Sequence, residues 1–498
     1  MRFTRMMIIG GLVLIGCGSL FFVVYQKFSP WSEQRRVRTD QHVTVVYPSD
    51  IQTLSPFTTS PMERSTVLNL YDSLVAYDPN LTIRPSLAIS YGRLDDTHWE
   101  FVLRENAYFF NGKKVNADDV VASFTAYQKY SSDSFLLHNI QHVEKVDDRT
   151  IHITTTRTDV LLLSKVSRVL IFPQGSSPET LSVQPMGTGP YRLQSWEKGE
   201  QMVLVRNDQY WGDPAVIKTI QIVFTKNEEE SLSYLNRHTT DLVIDGNVLW
   251  NIPASYQIQI EPLLQNTFLL FNIHHPLLSN KEVRKTIVDI LSQHKQEYIH
   301  QYGEKNMVSS SQFVSNWVIG YKPDMGEDTT ASVPQGMETG TFSLSYDPAD
   351  DTLAQWIQNT LKPYGITLTL HAVSLDTPVS SDTISSDLSL HHWYFAYGDA
   401  GEFFDQVVHS FRPSQGLGLL NVMKFSSSVL DQLIESSDQN SNPVQRLKAL
   451  QDINYTITKK EIIGVPLFEV RKTYIIDKAL QFCPRLDGNI LFHDLRWL

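Results

Sequence analysis

From His42 onward the chain alternates short β-rich runs with helically spaced ones for about 450 residues, an order that restricts it to mixed α/β lobes. Val43-Thr44-Val45-Val46-Tyr47, closed by Pro48-Ser49-Asp50, reads as a first strand. Residues 62–75 place Val67, Leu70, Tyr71 and Leu74 on one helical face. Trp99-Glu100-Phe101-Val102-Leu103-Arg104 alternates as a strand does, and Asn111-Gly112 signals a turn. Asn116 is placed to cap a helix over 117–127, with Asp118 and Asp119 complementing its dipole. Further strands are predicted at 191–195, 202–206, 218–224, 268–271, 342–346, 366–370 and 465–470. Further helices are predicted from Glu228 and over 282–298, 352–361, 429–435 and 444–459. Residues 374–389, rich in Ser, Asp and Thr, predict a surface loop. At 498 residues the chain exceeds a single core and calls for two or three domains.

A net charge of −12 repels phosphate backbones and argues against nucleic acid as a partner. Two cysteines, Cys17 and Cys483, supply no disulfide framework and no Cys-x-x-Cys metal site. Cys483 reads as a buried small hydrophobe. Arg2 and Arg5 precede an apolar run over 6–25, the order of an export signal. Within it Leu14-Ile15-Gly16-Cys17 resembles the lipobox of bacterial lipoproteins, which implies lipidation of Cys17. The run continues past Cys17 to Tyr25, and twenty helical residues reach about 30 Å, enough for a membrane anchor. Lipoprotein, uncleaved anchor and free secretion all place the body outside the cytoplasm. Residues 27–41 are polar and read as a tether.

Catalytic patterns are missing from the sequence. It holds no Gly-x-Ser-x-Gly elbow, no phosphate-binding Gly-Lys-Ser/Thr loop and no His-Glu-x-x-His. The adjacent pairs His274-His275 and His391-His392 make poor chelates, because neighbours on a strand point to opposite faces. Paired acids such as Asp95-Asp96 and Asp350-Asp351 mark turns and caps. A non-enzymatic protein without cofactor or metal is the expectation.

Several stretches together resemble the extracytoplasmic solute-binding proteins of peptide and nickel ABC transporters, the oligopeptide/dipeptide-binding family. They are Tyr71-Asp72-Ser73-Leu74-Val75-Ala76-Tyr77-Asp78-Pro79, Arg84-Pro85-Ser86-Leu87-Ala88, the strand from Trp99 to Arg104, Phe109-Phe110-Asn111-Gly112 and Asn116-Ala117-Asp118-Asp119-Val120. Gly187-Thr188-Gly189-Pro190-Tyr191, Arg206-Asn207, Tyr210-Trp211, Phe271-Asn272, Val283-Arg284-Lys285, Gly365-Ile366 and Val465-Pro466-Leu467 complete the set. The resemblance implies an α/β, periplasmic-binding-protein-like two-lobe fold with an extra inserted N-terminal subdomain. On that pattern lobe I is 42–59 plus 186–265 plus 478–498, the insert is 60–185 and lobe II is 266–477, preceded by 1–26 as signal or anchor. It further implies capture of a short peptide by hinge closure, delivery to ABC permease subunits, a monomeric state, and attachment to the cell membrane through the N-terminal anchor or lipid. A metal chelate or haem as cargo, or an exported receptor or scaffold that no longer feeds transport, remain alternatives.

In peptide-binding members a segment after a Gly/His-Trp pair carries an aspartate for the ligand's ammonium. The matching stretch here runs His392-Trp393-Tyr394-Phe395-Ala396-Tyr397-Gly398-Asp399-Ala400-Gly401-Glu402-Phe403-Phe404, and Ala396 stands at the aspartate's position. Three outcomes stay open: Asp399 replaces it, another group of the ligand orients it, or the ligand lacks a conventional free N-terminus, as cell-wall-derived peptides can. Trp393, Tyr394, Phe395 and Tyr397 are candidate pocket residues, and Arg412 is a candidate for a ligand carboxylate. Thr59, Ser60 and Met62, after the first strand, are candidates for a lobe edge that the ligand lies against.

Overall fold

The computed structural model describes residues 41–246, 250–303, 306–326, 340–373 and 386–498. The signal, lipobox and tether readings over 1–40 lie outside these residues, as does most of the expected surface loop at 374–385. That loop ends sooner than its composition suggests, since Leu388–Tyr394 is a strand.

One 11-stranded sheet runs through the protein. Its first half is built on β1 (His42–Tyr47), where residues 43–47 are all buried. A strand covered on both faces reads as a continuous apolar run, and β1 is parallel to both of its neighbours. On one side lie β2 (Thr219–Phe224), then antiparallel Gln201–Arg206 and Tyr191–Glu197. On the other lies Leu242–Ile244. The second half holds Leu388–Tyr394, Thr341–Tyr346 and Thr367–Ala372, the last two forming the expected βαβ unit around the helix Asp351–Leu361.

Two long antiparallel strands join the halves: β3 (Tyr256–Phe271) and β4 (Gly464–Asp477). The sequence suggested only the apolar end of each. One end of the pair packs into the first lobe through Tyr474 and Ile476. The other packs into the second lobe through Leu269, Phe271, Val465 and Leu467 on one face and Leu264, Phe268 and Leu270 on the other. Pairing slips between Pro262 and Asn266 and again between Thr267 and Phe268. Pro262 has no N–H to donate, so the ladder is weakest where the strands pass from one core to the next.

The stretch after β1 adds a separate four-stranded antiparallel sheet: Ala88–Arg93, His98–Leu103, Thr150–Thr155 and Ile140–Lys145 in spatial order. Against it lies the helix Ala117–Tyr130, opened by a reciprocal capping box between Asn116 and Asp119. Phe101 and Ile151 of the sheet and Val120 and Phe124 of the helix share one cluster with Val45, Leu204 and Ile222 of the first lobe. The C-terminal residues Leu480, Ile490, Phe492 and Leu495 join the same core. Cys483, expected to be buried, is exposed and free on this tail. No helix of the described residues is long and apolar enough to cross a membrane.

The helix read over 62–75 stops early, spanning Pro61–Val67. The cause is long-range. The Leu70 carbonyl accepts from Gly189 N and the Asn69 carbonyl from Tyr191 N, each at 3.0 Å, while Asn69 Nδ2 donates to the Ile490 carbonyl at 2.8 Å. A Cβ at Gly187 would stand 1.9 Å from the Leu70 carbonyl oxygen, and one at Gly189 2.7 Å from that of Asn69. Glycine is required at both positions because two backbones touch there.

Candidate ligand cavity between the lobes

A cavity of about 640 Å³ opens where the two lobes meet, within the usual range for small-molecule sites. One wall comes from the first lobe and its insert, through Arg64, Asp72, Tyr77, Arg168 and Trp211. The other comes from the end of the strand Leu388–Tyr394 and the segment after it, through Trp393, Tyr394, Ala396, Tyr397 and Glu402. Leu263, Gln265 and Lys472 line it where β3 and β4 cross between cores, and Arg485 and Asp487 line it from the tail. The lobes also touch beside it. Val160 N donates to the Asp438 carbonyl at 3.1 Å, and His138 Nε2 lies 3.2 Å from the Ser414 carbonyl.

The first-lobe wall is well supplied with partners. The Asp72 carboxylate accepts from Thr188 Oγ1 and Trp211 Nε1, each at 2.8 Å. Arg104 stacks 3.7 Å from the Trp211 ring centre and donates to the Ser86 carbonyl. Burial raises the Asp72 pKa, against the pull of Trp211, Thr188 and Arg104. Deeper in, Arg168 pairs with Asp133, whose carboxylate also accepts from Ser131 Oγ at 2.6 Å and Tyr127 OH at 2.5 Å. Burial works against ionisation of Asp133, but Arg168 and these hydroxyls outweigh it and hold its pKa below the ordinary value. Arg64 Nη2 donates to the carbonyls of Arg168 at 2.9 Å and Ser167 at 3.5 Å. Burial and the neighbouring Arg168 lower its pKa to about 10.

The second-lobe wall is different. Glu402 Oε2, Tyr397 OH and Trp393 Nε1 are buried without a hydrogen-bond partner. Burial pushes the Glu402 carboxyl up to about 7, partly opposed by Arg168.

Of the residues singled out from sequence, Thr59, Trp393, Tyr394, Ala396 and Tyr397 line the cavity. Ser60, Met62, Phe395, Asp399 and Arg412 are not among its lining residues. Phe395 is 1% exposed and packs edge-on to Phe403. Ser60 precedes the helix Pro61–Val67, and Met62 packs on the first core. Asp399 is held by both terminal nitrogens of Arg446, at 2.5 and 2.8 Å, and accepts from Gly401 N at 2.8 Å. Arg412 bridges Glu435 at 2.7 Å and Asp431 at 3.2 Å. Sequence reasoning passed over Arg64, Arg168 and Glu402. Arg64 lies in a helical stretch where a charge reads as solvated, and Glu402 lies inside the matching stretch, where the nearer acid Asp399 was preferred to it. Among the described residues no cluster of three or more His, Cys, Asp or Glu could hold a metal ion.

Comparison with known proteins agrees with this architecture. Over 457 residues the chain is 23% identical to the peptide transport periplasmic protein SapA of Salmonella typhimurium, covering 80% of this chain and 81% of that one. Over 260 residues it is 28% identical to a putative binding protein of Haemophilus influenzae, covering 48% of each, so it spans about half the length of that relative. The fold matches DppA from Helicobacter pylori in complex with the peptide STSA, with a TM-score of 0.75 at 18% identity, over 92% of this chain and 98% of that one. It also matches NikA from Staphylococcus aureus in complex with Ni(L-His)2, with a TM-score of 0.74 at 18% identity, over 92% and 100%. Residues 82–415 match the bacterial extracellular solute-binding proteins, family 5 Middle. The chain belongs to this family of extracellular solute-binding proteins, which bind solutes and are not enzymes.

Proposed function

We propose that this protein is the extracytoplasmic receptor of a peptide ABC transporter, taking a short peptide into the cavity between its lobes and handing it to the permease subunits. The observation that carries this reading is a cavity of about 640 Å³ whose walls come from both lobes and include unpartnered polar atoms. Walls from both lobes give the ligand more contacts when the lobes close, so binding shifts the population toward closure. Thr59 and the aromatic side chains Trp393, Tyr394 and Tyr397 suit side-chain pockets, while unpaired groups suit ligand charges. Relatives named for peptides support the cargo class. The N-terminal segment, with Cys17 as a lipid site or the whole run as an anchor, holds the body at the outer face of the membrane.

Trp211 and Trp393 line the cavity and provide an intrinsic reporter. Titration with peptides of two to five residues, nickel–histidine and haem is expected to change tryptophan fluorescence with peptides, and small-angle scattering to show compaction at saturation. Binding of nickel–histidine or haem with no response to any peptide overturns the reading.

A further inference from the structure

Two of the unpartnered atoms of the second-lobe wall, Glu402 Oε2 and Tyr397 OH, belong to one corner of the cavity. Tyr397 lies within electrostatic reach of Glu402, Arg168 and Arg64, and Glu402 within reach of Arg168. On the facing wall Arg168 Nε is also buried and unpartnered. Among the described residues Arg168 has its counter-charge in Asp133, whereas Arg64 donates only to backbone carbonyls. Asp399, three residues before Glu402, is saturated by Arg446. The corner therefore presents one spare positive charge, on Arg64, and one spare carboxylate, on Glu402. A purely cationic ligand would satisfy Glu402 and face Arg64. A purely anionic one would satisfy Arg64 and face Glu402. A ligand carrying both signs meets both needs and leaves no buried charge uncompensated.

We propose that this corner binds the zwitterionic end of the solute, with an ammonium on Glu402 and the Tyr397 hydroxyl and a carboxylate on Arg64 and Arg168 Nε. The inference rests on the peptide reading and narrows it to short solutes whose ammonium and carboxylate lie close together. Small peptides with free ends qualify, as does a diamino-diacid side chain ending in its own ammonium and carboxylate. Ala396 contributes only a methyl group, so the counter-charge enters the cavity six residues later, from Glu402.

The test uses calorimetry on the full chain with dialanine, trialanine, tetraalanine and a tripeptide ending in diaminopimelate, each also N-acetylated or C-amidated. Acetylation and amidation of the tightest binder are each expected to weaken wild-type binding roughly 100-fold. In Glu402→Gln the acetylation penalty should largely vanish while the amidation penalty stays. Because the blocked ligands are compared on the wild-type protein, the result does not depend on replacing Arg64, which also holds the Ser167 and Arg168 carbonyls. A second readout is pH. Arg168, Asp133, Lys165, Asp399 and Tyr397 face Glu402, and His392 and His493 line the same cavity, so wild type is compared with Glu402→Gln. Wild-type affinity should fall more steeply than the variant's between pH 8 and pH 5.5, as Glu402 takes up a proton. Binding that tolerates acetylation, or an acetylation penalty unchanged in Glu402→Gln, overturns the inference and leaves the peptide reading standing. Failure of wild type to bind any unblocked peptide overturns both.

Discussion

The two walls of the cavity treat their charges in opposite ways. On the first-lobe side Asp72 holds Thr188 and Trp211, Arg104 stacks on Trp211, and Arg168 holds Asp133. On the second-lobe side Glu402, Tyr397 and Trp393 each keep an unpaired atom. A satisfied buried polar network fixes the local structure, whereas an unsatisfied one costs stability unless something else completes it. Apart from Arg64 and Arg168 Nε, the first wall thus behaves as framework, whereas the second leaves its polar atoms open to a ligand. The contrast recurs between two acids three positions apart: Asp399, behind the second wall, is held by Arg446, and Glu402, in the wall, keeps an unpaired oxygen.

The sharpest way to break that contrast is Asp399→Ala. It strands the Arg446 guanidinium, which is 9% exposed, without its counter-charge. Loss of one partner of a buried pair costs about 3–5 kcal/mol, so a large fall in denaturant midpoint is expected, with weakened binding secondary to it. A normal midpoint with lost binding would instead make Asp399 part of the ligand site.

The next effect tests the framework wall. Asp72→Ala leaves Trp211 Nε1 and Thr188 Oγ1 without their acceptor and should cost about 1–3 kcal/mol by denaturant unfolding. Asp72→Asn keeps an acceptor oxygen and, because burial already raises the Asp72 pKa, should cost distinctly less. Equal losses in the two variants would show that the charge, and not the hydrogen bonding, is what holds this wall.

How much of this was legible in the sequence follows the range of the forces involved. β1 and the Asn116 N-cap could be read directly, because a buried strand and a capped helix each depend on residues within one short window. The helix expected over 62–75 could not, because Leu70 and Asn69 bond to Gly189 and Tyr191, more than a hundred residues away. The joining strands were read short for a related reason. Residues 256–263 and 471–473 are polar or mixed where they cross between cores, so no apolar run marks them. At the cavity, Trp393, Tyr394, Ala396 and Tyr397 were found through one continuous segment. Arg64 and Arg168 reach it from elements that meet only in the fold. Asp399 drew attention as the nearest acid, and only its geometry with Arg446 shows that its oxygens are taken.

A smaller effect lies beside the cavity, where Asp405 and Asp438 of the second lobe share a site near Lys165 of the insert. Burial, followed by the Asp405 charge, raises the Asp438 pKa well above its ordinary value, so the folded state holds a proton there more tightly than the unfolded chain does. The stability this group contributes is full below its unfolded pKa and is lost as pH rises through the folded one. Asp438→Asn mimics the protonated form. It should raise the Tm at pH 8 and leave it nearly unchanged near pH 4. A variant less stable than wild type at pH 8 would mean that Lys165 requires the Asp438 charge.

The smallest effect separates Glu402 from the framework most cleanly. With a folded pKa raised to about 7, Glu402 also binds its proton more tightly in the folded than in the unfolded state, where an ordinary glutamate titrates near 4.3. Its contribution to stability is therefore complete below about pH 4 and declines as pH rises toward 7. In the ligand-free protein Glu402→Gln should match wild type at pH 4 and exceed it at pH 8 by on the order of 1 kcal/mol, since partial exposure screens part of the effect. Added ligand should reverse the order at pH 8, because an ammonium stabilises the ionised carboxylate and has nothing to pair with on glutamine. Thermal melts with and without trialanine give both comparisons. If wild type is the more stable at pH 8 without ligand, Glu402 is paired within the protein, and the two walls do not differ in the way their geometry indicates.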